Sequence, residues 1–171
     1  VVNVAATADS PPYSFKRNGT LQGLSVAYMD LIAEKAGLDI EYVENKTWTE
    51  YLDMVRSNEI DMTMHTVQTP ERNSFLLFTE PYAVNPVGII SKPGSPYSEL
   101  SELSGKTLAV PKDYFYEQVI RQNHPEINVI AKKNILQAML SVMTGESDAA
   151  AAEITILNYL IMEQTISQLF V

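Results

Sequence analysis

Two stretches that align without gaps decide the fold: IEYVENKTWTEYLDMVRSNEIDMTM at Ile40–Met64 and INVIAKKNILQAMLSVMTGESDAAA at Ile127–Ala151. The identical pairs are Ile40/Ile127, Lys46/Lys133, Val55/Val142, Glu59/Glu146 and Asp61/Asp148. Each copy has a short apolar run, a helical pattern and a second apolar run, which predicts strand, helix and strand. Strands that alternate with helices indicate parallel, right-handed β-α-β units. We therefore predict an α/β fold with a duplicated unit, although unrelated β-α-β units can also resemble each other.

The same alternation continues outside the two copies. Apolar residues at helical spacing predict the buried faces of two further helices. These residues are Leu24, Ala27, Tyr28, Leu31 and Ile32 in the first helix, and Phe115, Val119 and Ile120 in the second. Gly37 is predicted to end the first helix, and Thr69-Pro70-Glu71-Arg72 is predicted to start a third. Asn18-Gly19 predicts a tight hairpin turn.

Composition excludes several classes of function. The chain has 171 residues, a formal net charge of −9 and no cysteine. An acidic chain lacks the basic surface that nucleic-acid binding needs, so no nucleic-acid partner is expected. Because the chain has no cysteine, it cannot form disulfides or zinc–thiolate sites. No glycine-rich phosphate loop and no paired metal ligands occur, so we expect no cofactor and no metal.

The strand ends indicate where a small molecule could bind. In open α/β sheets, ligands bind beyond the carboxyl ends of the strands. The residues at these ends are His65-Thr66 in the first copy and Ala152-Glu153 in the second. Two such edges that face each other would form a cleft.

Several motifs, in order along the chain, resemble those of the family-3 extracellular solute-binding proteins. Ser10-Pro11-Pro12-Tyr13-Ser14-Phe15 resembles the opening of that family, and Phe78-Thr79-Glu80-Pro81-Tyr82 resembles part of its first-lobe signature. Leu103–Val110 resembles the start of its second lobe, and Gly145–Ala149 resembles the segment before its last cleft strand. Thr69-Pro70-Glu71-Arg72 also belongs to the pattern.

The resemblance implies a two-lobed, type II periplasmic-binding-protein-like fold with a hinge, on the periplasmic or extracellular side of a bacterial membrane. Lobe 1 would span residues 1–86, the hinge crossing 82–91 and lobe 2 residues 92–171. The chain stops where the family continues, so we expect its C-terminal return segment to be missing. A small-molecule ligand would lie in the cleft between the lobes.

The resemblance also assigns ligand-binding residues. Arg72 matches the arginine that holds the ligand carboxylate, and Glu153 matches the acid that holds the ligand ammonium. Trp48 matches an aromatic residue that packs on the ligand, and Tyr13 borders the cleft. The expected set is completed by His65, Thr66, Thr69 and Tyr114. The alternatives are a surface arginine at position 72, a helix N-terminal acid at 153 and a core aromatic at 48.

Some positions depart from the family's amino-acid binders. Thr7 replaces an acid, Ser10 replaces an aromatic residue, His65 replaces a small hydroxyl residue, and the turn Pro111–Phe115 is bulky. The turn Pro111–Tyr114, the stretch Tyr159-Leu160-Ile161 and the segment Tyr82–Pro86 resemble the flytrap sensor domains of bacterial hybrid histidine kinases, whose partners are membrane-anchored signalling domains. We therefore expect a non-enzymatic sensor domain whose ligand is an amino acid or small carboxylate.

Two alternatives remain. One is a free amino-acid-binding protein that serves an ABC permease. The other is an enzyme on this scaffold, supported only by His65 and Glu153. A homodimer is also left open.

Overall fold

The computed structural model describes residues 1–163, which divide into two compact units, Val1–Tyr82 and Ala83 onward. In the first unit β1 (Val2–Ala5) lies between β5 (Ile40–Val43) and β6 (Met62–Thr63), and both pairings are parallel. Helix α1 (Leu24–Ala36) connects toward β5, and α2 (Trp48–Arg56) connects β5 to β6. This is the arrangement that right-handed β-α-β crossovers produce.

A small antiparallel meander precedes α1. It consists of β2 (Asp9–Ser10), β3 (Ser14–Arg17) and β4 (Thr20–Gln22). The two-residue turn Asn18-Gly19 joins β3 to β4, with φ angles of 53° and 81°. Two positive φ angles are what a type I′ turn requires, so the predicted hairpin turn is confirmed.

The buried face of α1 is not the predicted one. Ser25, Val26, Met29 and Ala33 are buried. The predicted stripe is exposed instead: Leu24 is 55% exposed, Tyr28 43%, Leu31 45% and Ile32 36%. The helix carries apolar side chains on two faces, and the smaller set packs against β1. Periodicity alone could not choose between the two faces.

The second unit is built around β8 (Thr107–Pro111). Its neighbours are β9 (Asn128–Lys132) and β10 (Ala149–Glu153), both parallel to it. Strand β7 (Val87–Ser91) adds to β10 in the antiparallel direction. The helices are α3 (Phe115–Asn123), α4 (Ile135–Thr144) and α5 (Ile154–Glu163).

The helices of the second unit follow most of the sequence pattern. In α4 the apolar spacing predicts a buried stripe of Ile135, Ala138, Met139, Val142 and Met143. The first four are at most 1% exposed, whereas Met143 is only half-buried. In α3, Ile120 is buried as predicted, but Val119 is 48% exposed. Tyr116 takes the inner position at 3% exposure. The choice of inner face in α3 was therefore partly wrong.

The sequence predicted that a helix starts at Thr69, and this prediction is wrong. Only a 3-10 turn forms, over Arg72–Ser74. Thr69 does act as a cap, because its Oγ1 accepts a hydrogen bond from the Arg72 N–H at 3.2 Å. The chain leaves the helical conformation at Phe75, whose φ is −141°, and Leu77 in the following run is fully exposed.

The two aligned copies share their backbone details as well as their strand order. The order β5-β1-β6 in the first unit matches β9-β8-β10 in the second. Thr47 and Asn134, at aligned positions, cap α2 and α4 by accepting the Glu50 and Gln137 N–H groups. The aligned residues Asn58 and Gly145 end these helices with positive φ angles of 60° and 80°.

The aligned aspartates make the same contact in both units. Asp61 Oδ2 accepts the Asn3 N–H at 2.7 Å, and the Asp61 N–H donates to the Asn3 carbonyl at 3.0 Å. Asp148 Oδ2 accepts the Thr107 N–H at 2.8 Å, and its N–H donates to the Thr107 carbonyl at 2.9 Å. Each aspartate therefore joins the last strand of its copy to the start of the central strand. This repeated contact supports the duplication.

None of the helices within residues 1–163 is long and apolar enough to cross a membrane.

We predict that Asp61→Ala and Asp148→Ala each lower the free energy of unfolding by about 1–2 kcal/mol, because each leaves a strand N–H without its acceptor. Urea unfolding measures this loss. Asp53→Ala is the control, since the Asp53 side chain is 67% exposed and its contact is a long surface ion pair of 3.6 Å with Arg56. Its loss should stay below about 0.5 kcal/mol. Equal losses in all three variants would contradict the structural role.

Candidate functional site

Arg72 lies beyond the carboxyl end of β6, and its side chain is buried. It is 6% exposed. Its Nη1 donates to Thr66 Oγ1 and to the Val67 carbonyl, both at 3.0 Å. The Arg72 guanidinium carbon lies 5.5 Å from the centre of the Trp48 ring. A buried guanidinium held by fixed neutral acceptors keeps its charge in place, as an anion site requires.

The structure brings together four residues that the sequence assigned to ligand binding: Arg72, Trp48, Thr66 and Thr69. Trp48 is the first residue of α2, so the Thr47 cap fixes where the indole starts. Thr66 and Thr69 hold the guanidinium and the backbone of Arg72. The alternative of an exposed surface arginine is excluded by the burial of Arg72.

A second group forms at the same edge around His65. The His65 Nε2 lies 3.4 Å from Thr7 Oγ1, and the ring centre lies 6.3 Å from that of Tyr13. Thr7 follows β1 and is 7% exposed. Burial lowers the pKa of His65 from 6.5 to about 4, because a desolvated imidazole loses stability when it is charged. His65 is therefore neutral at physiological pH.

The start of α1 positions Tyr13. The Leu24 N–H donates to the Pro12 carbonyl at 3.0 Å, and the Ser25 N–H donates to the Tyr13 carbonyl at 2.9 Å. Gly23 makes this close approach feasible, since any Cβ there would overlap the carbonyl of Tyr13. The free N–H groups of a helix start thus hold the loop that carries Tyr13.

In the second unit, Glu153 ends β10 and is partly buried. The Tyr116 hydroxyl donates to Glu153 Oε2 at 3.2 Å. Burial is the main reason that the pKa of Glu153 is raised, while hydrogen bonds from its own backbone and from Tyr116 oppose the shift. Burial and the nearby carboxylate raise the pKa of Tyr116 well above its ordinary value. A desolvated carboxylate of this kind favours a cationic or hydrogen-bonding partner.

Tyr114 lies beside this pair, and sequence reasoning missed Tyr116. The ring centres of Tyr114 and Tyr116 are 5.7 Å apart. Tyr114 precedes α3, and Tyr116 lies within its first turn. Tyr116 is two residues after Tyr114 along the chain, and the apolar spacing Phe115, Val119 and Ile120 gives no signal for it. The carboxyl ends of adjacent parallel strands β8 and β10 explain why these residues meet.

We predict that His65 makes the protein sensitive to acid. His65 is neutral when folded but binds a proton below about pH 6.5 when unfolded, so its contribution is complete above that pH and is lost as the pH falls toward 4. Between pH 7 and pH 4 the wild type should lose up to about 3 kcal/mol more than His65→Gln. Urea unfolding at both pH values measures this difference.

His124→Gln is the matched control for this prediction, because His124 lies at the exposed end of α3 and pairs with Glu126 at 3.1 Å. This variant should keep the acid sensitivity due to His65. The same acid sensitivity in His65→Gln and in the wild type would show that His65 does not cause it.

Comparison with known proteins places these groups in a family context. The family model of bacterial extracellular solute-binding proteins, family 3, matches residues 2–168. The virulence sensor protein BvgS of Bordetella pertussis is 30% identical over 152 residues, which are 87% of this chain and 12% of BvgS. The arginine-binding extracellular protein ArtP of Bacillus subtilis is 26% identical over 153 residues, 88% of this chain and 60% of ArtP. The chain thus spans only a small part of BvgS.

Solved structures agree with the family match. The crystal structure of the periplasmic VFT2 domain of Bordetella pertussis BvgS superposes with a TM-score of 0.87 at 27% identity, covering 99% of this chain and 73% of that one. An ancestral arginine-binding protein bound to glutamine gives a TM-score of 0.90 at 23% identity, covering 99% and 76%, which supports the fold alone. The periplasmic-binding-protein-like α/β fold expected from the sequence is therefore confirmed. This chain belongs to family 3 of the bacterial extracellular solute-binding proteins.

Proposed function

We propose that the protein is the small-molecule-sensing domain of a bacterial membrane signalling receptor of the histidine-kinase type, and that its ligand carries a carboxylate. The domain would act on the periplasmic or extracellular side of the membrane, as its family does. Membrane-anchored signalling domains in the same polypeptide would be its partners. A ligand that binds one conformation of the receptor more tightly shifts the population toward that conformation.

The buried guanidinium of Arg72 is the observation that carries the proposed ligand class. Arginine presents a planar fork of donors that matches a carboxylate in two parallel hydrogen bonds. The contacts with Thr66, Val67 and Trp48 fix the plane of this fork before any ligand arrives. Preorganisation of this kind reduces the entropy lost on binding.

Glu153 extends the proposed ligand class to amino acids. Its carboxyl group, held by Tyr116, lies at the carboxyl end of β10, as Arg72 follows β6 in the first unit. We propose that Glu153 at this edge of the second unit binds the ammonium group of an amino acid. Trp48, Tyr13 and Tyr114 would supply the aromatic surface, with Thr66, Thr69 and His65 as polar neighbours.

The similarity to BvgS, itself a sensor protein, favours sensing over transport. The second candidate is a periplasmic amino-acid-binding protein of an ABC transporter, which the similarity to ArtP favours. The two are distinguished in the natural full-length protein. A sensor should change its phosphorylation state when the ligand is added, whereas a transport protein should increase uptake of the ligand.

We propose that the domain binds its ligand without converting it. The enzymatic alternative needs His65 as a general base. Burial lowers the pKa of His65 to about 4, so the ring is a weak proton acceptor at physiological pH. The imidazole of His65 contacts the Thr7 hydroxyl, whereas the carboxyl group of Glu153 contacts the Tyr116 hydroxyl.

We predict that amino acids or small carboxylates raise the thermal unfolding midpoint, and that Arg72→Lys lowers this rise by about half or more. A ligand at a hundred times its Kd stabilises the folded state by about 2.7 kcal/mol, which shifts the midpoint by several degrees. Lysine keeps the charge but lacks the two-pronged geometry, so affinity should fall at least about tenfold. A thermal-shift screen measures both effects.

Arg17→Ala is the control for this screen, because the Arg17 side chain is exposed at the end of β3 and lies over the Phe15 ring. It should respond to the same ligand as the wild type. A stabilising acid that acts equally on Arg72→Lys, or the failure of every acid to stabilise a folded wild type, would contradict the proposed function.

A further inference from the structure

The ring of His65 contains an uncompensated polar atom. Among the described residues, the His65 Nδ1 is buried and has no hydrogen-bond partner. Leaving such an atom unpaired costs on the order of 1–3 kcal/mol, so buried polar atoms in native proteins nearly always have partners. The other ring nitrogen, Nε2, already lies near Thr7 Oγ1. Because His65 follows β6 at the ligand edge, a bound ligand that displaces the groups covering Nδ1 would supply the missing partner.

The surroundings of His65 hold its ring in one orientation. Ser14, fully buried, donates from its Oγ to the Thr7 carbonyl at 2.5 Å. That bond fixes Thr7, and Thr7 contacts the Nε2 side of the ring. The Tyr13 ring lies against the imidazole and is held in turn by the start of α1. The ring is therefore a preorganised recognition element, which is how specificity is usually built.

The side chains that lie beside the His65 ring carry no charge. The positive charge is on Arg72, and Thr66 connects the two residues, since it follows His65 and accepts a bond from Arg72. Thr7 and Tyr13, the neighbours of the His65 ring, are uncharged side chains. A second carboxylate placed against a neutral, buried imidazole would lose its hydration without gaining an opposite charge. An uncharged donor or acceptor needs only the one hydrogen bond that Nδ1 offers.

We propose that His65 is a specificity-determining residue that selects a monocarboxylate with an uncharged hydrogen-bonding group over a dicarboxylate of the same shape. The uncharged group is an amide, a hydroxyl or a ring nitrogen. This inference rests on the proposed function, because Arg72 must first hold the carboxylate. A site with a fixed polar group rejects analogues that leave it unpaired much more strongly than it rejects analogues of different size.

Isothermal titration of the protein with matched pairs of acids tests the proposal. The pairs are L-glutamine and L-glutamate, L-asparagine and L-aspartate, and succinamate and succinate, in which an amide replaces a carboxylate. The wild type should bind the amide member of at least one pair tenfold or more tightly than its partner. His65→Leu should weaken that amide at least tenfold, whereas His65→Gln, which keeps a neutral polar group, should stay within about threefold of wild type.

His124→Leu is the matched control and should leave the preference unchanged. The unfolding midpoint of each variant without acid shows whether it is folded, and His65→Ala, which also removes the ring, replaces His65→Leu if the leucine variant does not fold. A wild type that binds acids but prefers no amide member, or a folded His65→Leu protein with undiminished amide affinity, would overturn this inference and leave the proposed function standing. Failure of the wild type to bind any acid would instead contradict the proposed function and remove this inference with it.

Discussion

Parallel strands in a β-α-β unit place their carboxyl ends at one edge of the sheet, and this constraint decides where both units carry their polar side chains. Arg72 and His65 follow β6, and Thr7 follows β1. Glu153 ends β10, and Tyr116 starts the helix after β8. Residues far apart in the sequence thus lie side by side because the crossovers return each strand to the same sheet in the same direction.

The same constraint explains why the sequence contains two matching copies. The caps at Thr47 and Asn134 and the aspartates Asp61 and Asp148 occupy aligned positions, and each makes the contact that its counterpart makes. The left-handed end of α1 at Gly37 depends on local chemistry and was predicted from the sequence, whereas the caps at Thr47 and Asn134 were not. The parallel β-α-β units could be predicted from the spacing of apolar residues.

The failures come from features that only tertiary packing decides. Helix α1 is apolar on two faces, and the sheet buries the smaller face, so Leu31 and Tyr28 remain exposed. The single turn at Arg72 resembles a helix start because its capping chemistry is the same for one turn as for many. At the site, Arg72 and Trp48 could be singled out from the sequence only through the resemblance to a family. Tyr116 could not be predicted, because its role depends on the adjacency of β8 and β10.

A structure of the protein with a bound stabilising acid tests the central claim most directly. The account predicts the ligand carboxylate within hydrogen-bond distance, about 3 Å, of the Arg72 guanidinium. It is contradicted if the carboxylate lies elsewhere, with Arg72 contacting only the protein groups that hold it now.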